Sequence, residues 1–332
     1  MSKIKIAIID SGIEESSYSL NKNIIGLYNF VDNEKFDNYG HGTMCYKLIN
    51  DSLIQCQDVS FYIIKVFSYI GQTKSTFLIE ALELLIELDV DLINLSLSLS
   101  NLTDIKIVKR ISDLCTLLKS QNKVIICSAM NGNKTINSFP ANLDSTIGVE
   151  GAILNSNKYW FNCKYEIQAV ADQTPVLMQM QNQKLQFFTG NSKSTALFTR
   201  IVANEIVKVE NKMSVDDVSC LLLKNAERRI WTCKDIENTY QKDRMEPYED
   251  INNNKNNKEI KNKLIVFMKK IGRDFDIEEK EWGMHVIDDI LSNLFDLELI
   301  LQVKFNYSNI IFDDFRNIDT LVSAIILRWS NK

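Results

Sequence analysis

The sequence predicts an α/β fold, a parallel sheet flanked by helices, followed by a small C-terminal helical bundle. Three observations carry this. Short runs that are apolar at nearly every position read as strands covered on both faces. Segments of helical period alternate with those runs, which is the rhythm of parallel strands and their crossover helices. Beyond a polar tract only helical patterning remains. In order, Lys3–Ile9 is a short Ile-rich run that reads as a buried parallel strand, and Val59–Val66 reads the same way. Thr76–Leu88 has helical spacing, with Glu80, Glu83 and Glu87 on its wet face. Val90–Leu97 is a further strand, Ile105–Ser120 a helix and Lys123–Ala129 a strand again. Thr195–Val209 is a strongly apolar helix, and helical segments continue to about Glu249. The tract from Ile251 to Lys258 is almost wholly Asn and Lys and reads as a linker. Glu259–Lys332 regains helical patterning. The expected organisation is therefore residues 1–250 for the α/β domain, 251–258 for the linker and 259–332 for the helical domain. A length of 332 residues suits two such cores better than one.

Composition bounds the function. Hydrophobic residues make up 45% and charged residues 24%, as in a soluble globular protein. The net charge of −5 gives no electrostatic reason to expect nucleic acid or an anionic membrane as a partner. The seven cysteines are dispersed, with no CxxC pair and no metal-ligand spacing, which reads as reduced thiols in a reducing compartment. The N-terminal apolar run is too short for a signal peptide or a membrane span. The expectation is a cytoplasmic protein without a metal.

Three short segments place polar side chains at element ends beside glycine: Asp10-Ser11-Gly12, Gly40-His41-Gly42-Thr43 and Gly190-Asn191-Ser192. Singly, each has a structural explanation: an Asp in a turn, a His packed for its shape, a Ser capping a helix. Together they supply what an activated serine needs. A serine hydroxyl is a weak nucleophile at neutral pH and requires an adjacent base. His41 is the only histidine in the first 284 residues. A buried carboxylate such as Asp10 would hold the imidazole tautomer and stabilise the imidazolium. Ser192 before a long helix would also sit in the positive potential of the helix N-terminus.

These segments resemble the subtilases, the subtilisin-like serine peptidases. Gly40-His41-Gly42-Thr43 matches the family's His motif letter for letter. Asp10-Ser11-Gly12 resembles its Asp motif, and Gly190-Asn191-Ser192-Lys193-Ser194 resembles its Gly-Thr-Ser-Met-Ala. The order Asp, His, Ser is the subtilisin order, and His41 follows Asp10 by 31 residues while Ser192 follows His41 by 151. The resemblance covers roughly Lys3 to Val209 and implies a subtilisin-like fold, with Asp10, His41 and Ser192 as a catalytic triad. The run Val124–Asn131 is similar to the strand ending in the family's oxyanion asparagine, which implies that role for Asn131, with Asn133 as rival. Ile93–Ser98 resembles the edge strand that pairs with substrate, which implies that Ser96, Leu97 and Ser98 bind the peptide in extended form. Ser98 stands where the family usually has Gly, and its side chain would narrow the cleft. Asn191 for Thr, Lys193 for Met and Ala196 for Pro depart from the nucleophile motif. No inhibitory pro-segment is recognisable, which fits a cytosolic enzyme with a narrow substrate.

In the tail, Ile287–Leu294, Glu298–Leu301, Phe305-Asn306 and Phe312–Phe315 are laid out like an acyl or peptidyl carrier protein. Such domains carry phosphopantetheine on a serine in Asp-Ser-Leu; the aligned triplet is Ser292-Asn293-Leu294, so the modifiable serine is displaced or lost. An unrelated bundle with Leu294, Leu297, Leu301 and Phe305 as core fits equally. The function expected is a serine endopeptidase acting on a peptide or protein, dedicated to maturing one precursor such as a ribosomal peptide or bacteriocin. Two alternatives stay open: a pseudoprotease that binds peptides, and an acyltransferase working with a carrier-like tail.

Overall fold

The computed structural model describes residues 4–51, 59–99, 104–132, 138–181, 184–209, 213–242 and 255–329. Contacts divide the chain into two compact units. The first joins Met1–Thr174 to Thr189–Lys242, and the second joins Pro175–Phe188 to Asp243–Lys332.

The first unit is built on an eight-stranded sheet. Its strands are β1 (Ile4–Asp10), β2 (Ile24–Asn29), β3 (Val59–Lys65), β4 (Leu92–Leu95), β5 (Val124–Ser128), β6 (Ile147–Ala152), β7 (Tyr159–Phe161) and β8 (Ala169–Asp172), in the order β2-β3-β1-β4-β5-β6-β8-β7. All neighbours are parallel except β7 and β8. Strand β1 is central, paired with β3 from Ile4↔Val59 to Asp10↔Lys65 and with β4 from Ile6↔Leu92 to Ile8↔Asn94. The chain fills one side of β1 with β3 and β2, then the other with β4 to β8. Asp10 thus lies at the carboxyl end of the strand where the winding reverses, the usual place for a site in an open α/β sheet.

The apolar runs of β1, β3, β4 and β5 follow from cover on both faces. Helices α3 (Ser75–Glu87) and α4 (Ile105–Ser120) bury Leu78, Ala81, Leu82, Leu85, Ile111, Leu114 and Leu118 against Ala7, Ile9, Ile93, Leu95 and Ile125. Helix α2 (His41–Asn50) packs on β1, and α5 (Gly190–Val207) packs on α2 and runs across β4, β5, β6 and β8. In α5, Phe198 is fully buried against Tyr159 and Phe161, with ring centroids 5.4 and 6.3 Å away. Helices α1 (Glu15–Leu20), α6 (Val215–Asn225) and α7 (Cys233–Lys242) complete the unit. Among the described residues no helix is long and apolar enough to cross a membrane.

The second unit holds a hairpin, β9 (Val176–Gln179) with β10 (Leu185–Phe188), and helices α8 (Lys255–Lys270), α9 (Met284–Ser292), α10 (Leu294–Leu301) and α11 (Ile318–Ala324). Its core joins Leu264, Phe267, Trp282, Ile290, Leu294, Leu297, Leu301, Phe305, Phe315 and Trp329 to Phe187 of the hairpin. Phe187 makes edge contacts with Phe312 and Phe315 at 5.3 and 5.7 Å.

Two expectations about organisation need correction. Residues 175–188 were expected in the first domain but belong to the second unit, because Phe187 is buried in the helical core and Leu177 and Leu185 pack against it. The expected linker 251–258 overlaps α8, which already begins at Lys255; residues 251–254 lie outside the described residues. A first helical turn needs no apolar anchor when the following turns supply Leu264, Phe267 and Met268.

Candidate active site

Asp10 ends β1 fully buried, and Ser11 N–H donates to its Oδ1 at 2.8 Å. His41 is the first residue of α2, and the turn before it is held in place by Asp37. The Asp37 carboxylate accepts from Tyr39 N and Gly40 N at 3.0 and 2.7 Å, and from Thr43 N and Thr43 Oγ1 at 3.0 and 2.6 Å. It thereby satisfies donors that the helix start would leave open. Ser11 Oγ accepts from Gly42 N at 2.8 Å. A Cβ on Gly42 would lie 2.5 Å from Gly12 O, so only glycine lets α2 approach the Asp10 turn this closely.

This seating joins His41 to Asp10: Nδ1 lies 2.8 Å from Oδ1 and 3.0 Å from Oδ2. The Asp10 side chain is 1% exposed and that of His41 is 23% exposed, so the ion-pair partner is dry while the imidazole reaches the surface. Burial works against the cation, but the Asp10 carboxylate, with help from Cys45, outweighs it and lifts His41 well above its ordinary 6.5. With Nδ1 committed to the carboxylate, Nε2 is the basic nitrogen of the neutral ring. Cys45, one turn along α2, donates its thiol to Asp10 Oδ2 at 3.6 Å, and burial pushes its own pKa up. Among the described residues, Asp10, His41 and Cys45 are the one set of metal-capable donors within mutual reach, at 4.8 Å or less.

Ser192 is the third residue of α5. The helix begins at Gly190, five residues before the start expected from the apolar run, so Ser192 sits inside the first turn with Thr189 as cap. Polar residues fill that turn because they are spent on tertiary bonds, which masks its helical character in the sequence. Ser192 Oγ donates to Ser96 O at 3.2 Å, and Ser96 Oγ returns a bond to Ser192 O at 3.3 Å. Ser96 Oγ also accepts from Asn94 Nδ2 at 3.0 Å, and Asn94 Oδ1 accepts from Thr199 Oγ1 at 2.9 Å. The Ser192 turn is in this way tied to the end of β4 and, through Asn94, to Thr199 of its own helix.

Asn131 follows β5, and its Oδ1 accepts from Asn191 N at 3.0 Å. That bond leaves Nδ2 as the donor of the amide, beside a helix start whose first N–H groups lack intrahelical acceptors. Gly190 has φ +78°, a conformation that favours glycine, and a Cβ there would crowd Asn131 Oδ1 at 3.3 Å. Asn133 lies outside the described residues. Of the three residues that depart from the motif, the two polar ones are anchored by hydrogen bonds. Asn191 donates to Ala129 O and Met130 O, each at 3.1 Å, and accepts from Gly151 N at 2.8 Å. Lys193 donates to Asp172 O at 3.0 Å and Asp172 Oδ2 at 2.5 Å.

The segment 96–98 extends β4, which is a central strand between β1 and β5 and not an edge. Ser96 and Leu97 are buried, 3% and 5% exposed. Ser98 is partly exposed and donates to Phe139 O at 3.3 Å, and Leu99 N donates to the same oxygen at 2.8 Å. In the second unit, Ser292 is the exposed last residue of α9. It lines a groove of about 830 Å³ together with Leu177, Leu185, Leu294, Phe295 and Ile311.

Asp37, Cys45, Asn94 and Asp172 were not singled out as site residues by the sequence. Only Asp37 had a local signal, an Asp three residues before a glycine at a helix start. The others act through contacts between distant elements.

Residues 1–263 match the family described as the subtilase family. Subtilisin E of Bacillus subtilis (strain 168) and subtilisin NAT of Bacillus subtilis subsp. natto are each 31% identical over 172 residues, covering 47% of this chain and 42% of theirs. The chain thus spans less than half the length of these relatives. Among solved structures, a lanthipeptide protease superposes with TM-score 0.55 at 20% identity over 68% of this chain and 80% of its own. A cold-adapted subtilisin-like serine proteinase does so with TM-score 0.55 at 16% identity over 69% and 84%. With the Asp10–His41 pair, the Ser192 turn and the sheet order already described, this chain belongs to the subtilase family.

Proposed function

We propose that this chain is a serine endopeptidase dedicated to one precursor peptide, from which it removes a leader in the cytoplasm. The bond from His41 Nδ1 to the buried Asp10 carboxylate carries the reading, because it leaves Nε2 as a base for a serine hydroxyl. Ser192 Oγ attacks the scissile carbonyl as His41 takes its proton. Asn131 Nδ2 and the Ser192 N–H donate to the developing oxyanion. His41 then returns the proton to the leaving amine, and water releases the acyl group. Asp10 stays ionised throughout and holds the imidazolium.

Three observations support a narrow substrate in a reducing compartment. Ser98 and Leu99 are tied to Phe139 O, which places a side chain and a protein bond where the resemblance puts an open substrate-pairing strand. The six cysteines among the described residues are all free. A lanthipeptide protease shares this fold. The test is incubation with a leader-plus-core peptide encoded beside this chain, read by mass spectrometry. A single cut between leader and core, absent in Ser192→Ala, is expected. An uncut but bound peptide would point instead to the peptide-binding pseudoprotease. Transfer of the acyl group to an amine would point to the acyltransferase, in which a phosphopantetheine on the exposed Ser292 would have a use.

A further inference from the structure

Outside the Asp10–His41 pair, the most unusual chemistry in the first unit is a buried ion pair one residue from the nucleophile. Lys193 and Asp172 are each 5% exposed. Lys193 Nζ donates to both Asp172 Oδ2 and the Asp172 carbonyl. The opposite carboxylate oxygen, Oδ1, accepts from Leu154 N and Asn155 N, each at 2.9 Å, and from Thr174 Oγ1 at 2.5 Å. Every polar group of the pair is therefore engaged. An isolated buried pair is a poor source of stability, because desolvation offsets most of the Coulombic gain and an apolar pair of like volume often serves better. What such a pair does well is fix geometry, since a charge stripped of its partner in a dry site is costly.

The geometry it fixes is that of Ser192. On one side of the serine, Asn191 is bonded to the ends of β5 and β6. On the other, Lys193 is bonded to the end of β8. Ser192 is held between two anchors that reach three different strands, with its own Oγ over Ser96 O. An apolar residue at position 193 could fill the space but could not set the turn's position along β8.

We propose that the Lys193–Asp172 pair is a positioning device for the nucleophile, which holds Ser192 Oγ in line for attack without touching substrate. This rests on the reading of Ser192 as nucleophile. A misplacement on the scale of an ångström is enough to cost about a hundredfold in rate.

The test compares wild type with the neutral double variant Lys193→Met/Asp172→Asn and with Lys193→Met alone. Each is followed for inactivation by a fluorophosphonate, with the limiting rate and the half-saturating concentration determined separately, alongside thermal unfolding. The double variant is expected to fold, to keep the half-saturating concentration within about twofold, and to lose at least tenfold in limiting rate. Lys193→Met alone is expected to lose more, since it strands the carboxylate. A double variant that reacts as fast as wild type, whatever its thermal midpoint, overturns the proposal and leaves Ser192 as nucleophile. A double variant that cannot fold also overturns it, by making the pair a stability element. Wild type that never reacts at Ser192 overturns the reading beneath it.

Discussion

Replacing Asp10 by Asn tests the electrostatics of the site with almost no change of shape. Asp10 Oδ1 is held by Ser11 N–H, so the new amide nitrogen takes the place of Oδ2, 3.0 Å from His41 Nδ1. Nδ1 would then meet a donor at that place and only a neutral amide oxygen at Oδ1, 2.8 Å away, so the ring loses both the charge that stabilises its cation and the grip that keeps Nε2 free to accept from a serine. No water can repair this, because the side chain is 1% exposed. The same substitution in a chymotrypsin-type triad costs about 10⁴ in turnover, which at 1.36 kcal/mol per decade is about 5.5 kcal/mol of transition-state stabilisation. The pH dependence moves as well. In wild type, the base form of His41 appears only as pH rises through a value well above 6.5, since Asp10 holds the proton on against burial. Without that carboxylate, burial favours the neutral ring and the acid limb moves to lower pH. The assay is the second-order rate of fluorophosphonate labelling between about pH 5 and 9. Labelling of Asp10→Asn within tenfold of wild type across that range would refute the assignment of Asp10 and His41.

Asn131→Ala is expected to lower kcat on a cleavable peptide by about 10²–10³ with KM little changed, a magnitude carried over from the oxyanion asparagine of subtilisin, a member of this family, and not worked from this structure. Steady-state kinetics check it. Phe198→Ala removes a fully buried ring packed on Tyr159 and Phe161 and is expected to cost about 3–5 kcal/mol in urea unfolding. Burial would raise the Asp172 carboxyl, but Lys193 and Thr174 pull it below its ordinary 3.8. A carboxyl depressed in the folded state adds stability above its unfolded value, and that stability is lost as pH falls through the folded one. Between about pH 5 and 3, wild type should therefore lose more of its urea midpoint than Asp172→Asn does; equal losses would show that Asp172 does not titrate in this way.

The parts of the fold that could be read from the chain are those whose residues answer to local cover. The helix Ile105–Ser120 agrees with α4 to the residue, because its apolar stripe and the Asp104 cap at its start are both local signals. Strands β1, β3, β4 and β5 are legible because both faces are buried, so the apolar run alone reports them. Strands β9 and β10 are half-exposed ribbon and carry no such run, and their partnership with the helical unit depends on Phe187 meeting aromatic rings more than a hundred residues away. At the site, the residues that carry chemistry stand beside glycines whose positions betray close approach, as at Gly42 and Gly190. The residues that hold them in place do not. Cys45 reads as an ordinary apolar position on α2, and Asp172 as the end of a strand; their partners, Asp10 and Lys193, come from other elements. Lys193 is the instructive case. In the sequence it is a bare departure from the family motif with no visible partner, whereas the structure gives it a buried partner and an anchored position.

The account depends first on Ser192 being an activated nucleophile. The direct measurement is fluorophosphonate labelling of the whole protein, with the modified residue located by mass spectrometry and Ser192→Ala as control. The account predicts one adduct, on Ser192, absent from the control and lost on acidification through the pKa of His41. A folded wild-type protein that takes up no label, or takes it up equally after Ser192→Ala, would contradict it.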